Sequence, residues 1–365
     1  MHPAPVAAAS VPMDLGGRVD VALGDPSTLA GDLWDAVSVR GIEAGGEFAD
    51  LVDAARAADG GKYLRPRLVA AAYLAHGGTD AALLRRIAGA QQLVHLGLCI
   101  HDDLIDGDLV RHGRPNVVAR AEAAARAAGL GDAASGRQGA ASGLLAGDLA
   151  LNAAALALVT APAPDAVRAR LAATALRAVE RTIAGELLDV RSEALPPERS
   201  TPLLVARLKT ASYSITLPLA LGVIAAGADD AVTIDAVERV GAALGIAYQL
   251  GDDDLGLFGA PDVTGKSVLS DLRDGKRTEH IRLALRRSGD ADRSTILRTL
   301  GSVDADDDDA RRVRAIVTAT GARAAVHALI DEHLDRGLRT ARDHLPTPLA
   351  DHLAELALAL RHRTH

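Results

Sequence analysis

Aromatic side chains are nearly missing from this 365-residue chain, which has two Phe, one Trp and four Tyr, or 2% of its residues. Stacking platforms for nucleic-acid bases need more of them. The formal net charge of -8 supplies no attraction for a phosphate backbone or an anionic membrane, so nucleic acid is excluded as a partner and any anionic ligand must be held by local cations. Cysteine occurs once, at Cys99, which excludes an internal disulfide and a multi-cysteine metal site and fits a reducing, cytoplasmic location. The opening MHPAPVAAASVPMDLGG lacks a cationic start followed by a continuous apolar stretch, so no secretory signal is read there. The longest uncharged run, Thr210 to Ala228, approaches membrane-spanning length but is interrupted by Pro218, glycines and hydroxyl side chains. A helix buried in a soluble protein is expected, without stable membrane insertion.

What the chain does have is 48% hydrophobic and 24% charged residues, enough apolar material for a large core. Alanine, leucine and arginine dominate, apolar positions recur every three or four residues, and alternating Val/Ile/Thr runs are few. These patterns predict an all-α protein. The small-residue stretch AGLGDAASGRQGAASGL (127–143) and the acidic SVDADDDDA around Asp306 to Asp309 read as exposed loops. Neither marks a change in composition and no repeat is found, so residues 28–365 are expected to form a single domain behind a flexible tail, residues 1–27.

HDDLIDGD, beginning at His101, follows an apolar helical run. On a helix, Gln91, His95, Leu98, Asp102 and Asp106 share one face, with Asp103 beside them. Like charges at i and i+4 cost an isolated helix about 0.2–0.5 kcal/mol, so this pair needs solvent or a cation. AYQLGDDDLGLFG repeats the design with Asp252, Asp253 and Asp254. Oxygen-only ligands suit a hard cation such as Mg²⁺, which completes its shell with water and phosphate oxygens, so the pattern asks for a phosphorylated substrate. Cations beside glycines occur in GGKYLRP (Lys62, Arg65), LVRHGRP (Arg111, Arg114) and TGKSVLSDLRDGKRT (Lys266, Lys276), with Lys209 in RLKTAS.

In this order, GGKYLRP, HDDLID with RHGRP, LKT, YQLGDDDLGLFG and TGKSVLSDLRDGKRT resemble the motifs of the trans-isoprenyl diphosphate synthases, the polyprenyl synthetase family, across about residues 60 to 285. The resemblance implies an isoprenoid-synthase helical bundle around a central cavity, a homodimer, and condensation of isopentenyl diphosphate with an allylic diphosphate. It implies that Asp102, Asp106 and Asp252 bind Mg²⁺, supported by Asp103 and Asp253. Arg111, Lys209, Thr210, Gln249, Lys266 and Lys276 would line the allylic site, and Lys62, Arg65 and His95 would hold isopentenyl diphosphate.

Two positions depart from the family pattern. Gly256 stands where the second aspartate-rich motif usually ends in aspartate, which predicts weaker metal support, and His112 replaces an arginine that helps hold isopentenyl diphosphate. The resemblance also places the floor that limits product length at Val94, Gly97 and Leu98, where no aromatic is found. Geranylgeranyl diphosphate is the expected product, with a farnesyl or longer-chain diphosphate as the alternative, and Phe at Gly97 is expected to shorten it. A terpene cyclase would want more aromatic walls. A metal phosphohydrolase built on His101 and Asp102 would leave the other motifs unexplained, and a non-catalytic regulatory subunit would be expected to lose the first aspartate cluster, which is intact.

Overall fold

The computed structural model describes residues 13–41, 43, 45–259 and 269–364. Lys266 lies outside the described residues. The helices are α1 Leu15–Leu23, α2 Gly31–Arg40, α3 Gly46–Ala57, α4 Leu64–Ala75, α5 Ala81–Asp106, α6 Val117–Ala127, α7 Asp132–Val159 and α8 Asp165–Glu193. A short α9, Pro202–Val205, runs into an 11-residue π-helical segment, Ala206–Thr216. Beyond it come α10 Leu217–Ala225, α11 Ala231–Phe258, α12 Ser270–Arg273, α13 Glu279–Arg287, α14 Asp290–Thr299, α15 Asp307–Ala319, α16 Ala322–His344 and α17 Thr347–Thr364. One hairpin, β1 Val110–Arg111 with β2 Arg114–Pro115, is the only sheet among the described residues, in keeping with the all-α expectation.

Side chains that satisfy orphan backbone N–H groups start the two helices that carry the aspartate clusters where they start. Asp80 accepts from Leu83 N at the head of α5, and Asp230 accepts from Val232 N and Thr233 N at the head of α11. α5 is buried through most of its length, with Ile87 and Leu93 fully covered, and it packs along α7. α11 packs on α16 and on the π segment, while α4 and α10 pack on each other. A smaller apolar cluster gathers α13, α14 and α15 around the end of α11 through Leu257, Ile281, Ile296 and Val313.

Three sequence expectations change. The loose tail expected through residue 27 is a helix over Leu15–Leu23: Asp14 caps it, and Leu15, Val19 and Leu23, at four-residue spacing, are buried against α4 and α17. Most of the glycine-rich stretch 127–143 is the first half of α7. Its glycines are contact points: a Cβ at Gly139 would come within 2.5 Å of Glu122, and one at Gly143 within 2.8 Å of Val118, both on α6. Close packing there outweighs the low helix propensity of glycine. The acidic run at Asp306 starts a helix, with Asp306 and Asp309 forming a reciprocal capping box.

By length and composition alone, α7 and the Pro202–Ala225 run could each cross a membrane; 78% of the apolar window in the second is buried inside the protein, and 44% of that in α7.

Candidate active site

α5 ends at Gly107, whose φ of 69° only glycine adopts without cost, so Asp102, Asp103 and Asp106 lie on the last turn. Carboxylates at a helix C-terminus oppose the helix dipole and need compensating cations. Arg111 supplies one: its Nε and Nη2 donate to Asp103 at 2.8 and 2.6 Å, and Nη2 lies 3.5 Å from Asp102. Asp103 is only 3% exposed, so its role is to aim Arg111. Lys209, on the π segment, supplies another, with Nζ 3.1 Å from Asp102 and 2.9 Å from both Glu186 and Asp189 of α8. α8 approaches this closely because residue 185 is glycine; a Cβ there would lie 2.2 Å from Lys209 N.

Asp102, Asp106 and Glu186 each present an oxygen, and the three lie within 4.8 Å of one another. Burial, then the neighbouring Asp102, pushes the Asp106 carboxyl up to about 7, and burial raises that of Glu186. Asp106 is open to solvent on one side, which screens part of that push. Burial also pushes Asp102 up, but Lys209 and Arg111 hold it below the usual carboxylate range. Burial would lower Lys209, yet Asp102, Asp189 and Glu186 keep it above the usual lysine range. The cluster therefore carries more potential negative charge than its lysine and arginine neutralise, and its hard oxygen donors fit a divalent cation.

The second acidic cluster divides by direction. Asp252 and Asp253 line the same cavity as the first, whereas Asp254 faces away. Arg323 donates to Asp254 at 3.0 and 2.9 Å, and His280 lies 3.1 Å from it. Burial raises that carboxyl, but the bonds to His280 and Arg323 pull it well below the usual range, and its role is to tie α11 to α13 and α16. Asp253 accepts from Gln249 Nε2 at 2.8 Å, and Gln249 in turn accepts from Thr210 Oγ1. Burial pushes Asp253 up to about 6. Lys276, 3.6 Å from Asp271, is held above the usual lysine range by that neighbour against the cost of its burial. Asp252 lines the cavity, but the described cluster of converging oxygens contains Glu186 and not Asp252.

At the other side of the cavity, Arg65 on the first turn of α4 donates to Ser214 Oγ at 2.7 Å and to Tyr213 Oη at 3.3 Å. Its guanidinium also lies over the Tyr213 ring, 4.9 Å from the centroid. Among the described residues no carboxylate pairs with it, so this cation faces the cavity with neutral partners only. His95 sits 3.3 Å from Arg65 Nη1 and stacks on Tyr213. Burial, then Arg65, drives the imidazole well below its usual pKa, which suits an acceptor that orients Arg65. Lys62 and His112 line the same end, with His112 against Gly60 and Gly61.

These groups share one cavity of about 1550 Å³, larger than a typical drug-sized pocket and roomy enough for two substrates. Leu98, Leu104, Ile105, Leu144, Ile183 and Leu187 give it an apolar side. Of the three floor positions, Leu98 lines it. Val94 is buried in the core, and Gly97 faces α7, where a Cβ would meet Gly147 O and Leu151 Cγ, each at 2.9 Å. His101 turns to Leu144 O and Asp148, at 3.2 and 3.4 Å, and forms no joint ligand pair with Asp102. Glu186 and Asp189 were not legible in the sequence; the one signal is their spacing of three on a helix, which an ordinary solvated face shares.

Two acid-tipped helix ends and a set of cations around an apolar-walled cavity define a class of helical enzyme that works on diphosphates of hydrocarbon chains. The polyprenyl synthetase family pattern matches residues 51–317, and the chain belongs to that family, a family of divalent-metal prenyltransferases that join isopentenyl diphosphate to an allylic diphosphate. It is 33% identical over 295 residues to the geranylgeranyl diphosphate synthase of Mycobacterium tuberculosis, covering 80% of this chain and 78% of that one. It is 32% identical over 302 residues, 81% and 78% of the two chains, to a (2E,6E)-farnesyl diphosphate synthase of Mycobacterium bovis. Its fold superposes with a TM-score of 0.85 on geranylgeranyl pyrophosphate synthase from Corynebacterium glutamicum, solved with isoprenyl diphosphate and magnesium, at 30% identity over 96% of this chain and 100% of that one.

Proposed function

We propose that this prenyltransferase makes geranylgeranyl diphosphate, with Mg²⁺ as its metal, as a cytoplasmic homodimer. The observation that carries the reading is the convergence of Asp102, Asp106 and Glu186 beside Lys209 and Arg111, with Arg65 held by neutral partners at the other end of one cavity. Two diphosphates can thus be bound separately, the allylic one by Lys209, Arg111, Thr210, Gln249 and Lys276, and that of isopentenyl diphosphate by Lys62, Arg65, His95 and His112. A divalent cation held by Asp102, Asp106 and Glu186, and by Asp252 across the cavity, would supply positive charge to the departing diphosphate. Lys209 and Arg111 add fixed charge at the same place, so the allylic carbon–oxygen bond breaks where the negative charge is already matched. The double bond of isopentenyl diphosphate attacks the resulting cation, and the adduct releases a proton to the departed diphosphate. Leu98, Ile183 and Leu187 keep water from the cation in the meantime.

Product length is read from Leu98, the floor position that lines the cavity, where no aromatic side chain stands. Purified protein, Mg²⁺, isopentenyl diphosphate and each allylic primer in turn should yield geranylgeranyl diphosphate by chromatography, and a farnesyl end product would remove that assignment. Asp102→Ala and Asp252→Ala should each cut turnover by several orders of magnitude; near-normal turnover in either would remove that residue from the metal site.

A further inference from the structure

Asp59 stands just before Gly60, Gly61 and Lys62, which line the cavity together with Gln92 and His112, while Asp59 itself lies behind that wall. Its Oδ1 accepts from Gly60 N at 2.8 Å and from Gln92 Nε2, on α5, at 2.6 Å. Those bonds tie the loop to the helix that carries the first aspartate cluster, but a neutral amide oxygen could accept both. The charge of Asp59 is left for another partner, and His112 is the one it faces. Burial pushes the Asp59 carboxyl up, and the bonds from Gln92 and Gly60 N, then the charge of His112, draw it down. The His112 ring lies across the two glycines, its Cδ2 3.7 Å from a Cβ built on Gly60 and its Cε1 3.7 Å from one built on Gly61. The other charges at this end are mostly positive. Lys62 follows the glycines, Arg111 and Arg114 flank His112 in the hairpin, and Arg65 stands deeper, beside His95. Tyr63 is next along the loop: burial raises its phenol first, Asp59 and Asp25 raise it further, and Arg114 lowers it.

We propose that Asp59 is a positioning residue for isopentenyl diphosphate, whose negative charge offsets the surrounding cations so that His112 keeps its proton and presents a cation to the diphosphate. Histidine changes charge near neutral pH, and an opposite charge close by favours its protonated form. An arginine at 112 would be charged without such help, so the acid matters here because residue 112 is histidine. A plain anchor for the loop would work equally well as asparagine. The inference rests on the reading of Lys62 and His112 as holding isopentenyl diphosphate.

The test is steady-state kinetics on the full chain from about pH 6 to about pH 8.5, the range in which histidine changes charge, with melting temperature as the control for folding. In the unmodified protein the KM for isopentenyl diphosphate should rise several-fold with pH, more than in His112→Arg, whose profile reports the titration of the substrate itself. Asp59→Asn keeps the size and the accepting oxygen. It should raise that KM about 2- to 5-fold near neutral pH, the range for a partly exposed charge pair, with kcat and the KM for the allylic substrate near those of the parent. The penalty should shrink as the pH falls, because His112 then gains its proton unaided, and Asp59→Asn should add none in the His112→Arg background. No penalty, one that is equal at every pH, or one that persists in the double variant would overturn the inference, as would a parent profile that matches His112→Arg. An unchanged KM in both His112→Arg and Lys62→Ala would instead overturn the reading of this end of the cavity, together with the inference built on it.

Discussion

The hairpin that aims Arg111 turns through His112 and Gly113, whose φ values of 53° and 71° both lie in the left-handed region. A two-residue turn of this kind matches the twist of the flanking strands and demands residues that tolerate that backbone. Histidine is among the few non-glycine residues enriched there. The departure at 112 thus has a backbone reason beside its effect on charge. His112→Arg is expected to lower the KM for isopentenyl diphosphate, because a full cation then lines the end of the cavity held by Arg65. The same change should lower the melting temperature slightly, by about one degree, since arginine is less suited to the left-handed backbone, at a cost of at most about 1 kcal/mol. Steady-state kinetics and thermal melts check the two halves separately, and an unchanged or higher KM would remove His112 from that site.

At the scale of the element, α5 carries both the acids and the residues read as the product floor, and its two faces have different neighbours. Leu98 faces the cavity, while Gly97 lets α7 approach so closely that a Cβ would lie 2.9 Å from Gly147 O. Gly97→Phe is therefore expected to force α5 and α7 apart, costing about 1–3 kcal/mol by overpacking and lowering the melting temperature by about 1–4 degrees. Leu98→Phe should narrow the cavity and shift the product toward farnesyl diphosphate with a near-normal melt. Chromatography and calorimetry on the pair decide it; a stable Gly97→Phe enzyme with a shortened product would put the floor back at Gly97. The same helix shows what a sequence discloses. Period and charge placed Asp102 and Asp106 on one face, because that needs only 3.6 residues per turn. They could not show that Gly97 and Gly139 serve helix contacts, that Asp254 turns away from its neighbours, or that Glu186 joins the first cluster. Each of those depends on which element packs opposite.

For the whole molecule, the telling surface is an apolar stripe that crosses two helices. Leu145, Leu156 and Val159 on α7 are 55%, 38% and 47% exposed, and Leu176, Ile183, Leu187 and Val190 on α8 are 53%, 57%, 50% and 41% exposed. Large apolar side chains left exposed on two helices that pack together mark a candidate interaction surface. Ile183, Leu187 and Val190 also line the cavity, so its apolar side borders the stripe. A second copy seated there, with the same patch meeting itself about a two-fold axis, would cover the wall that must exclude water. Light scattering should therefore give the mass of a dimer. Leu145→Glu/Leu176→Glu, which touches no residue lining the cavity, should give a monomer. That monomer should still ionise allylic diphosphate, but it should release more prenyl alcohol per condensation, because water reaches the cation through the uncovered wall. An unaltered dimer would place the interface elsewhere. A monomeric parent that sediments with neutral phospholipid vesicles would mean that a lipid surface covers the stripe, and a monomeric double variant with no rise in alcohol would separate dimer formation from protection of the cation.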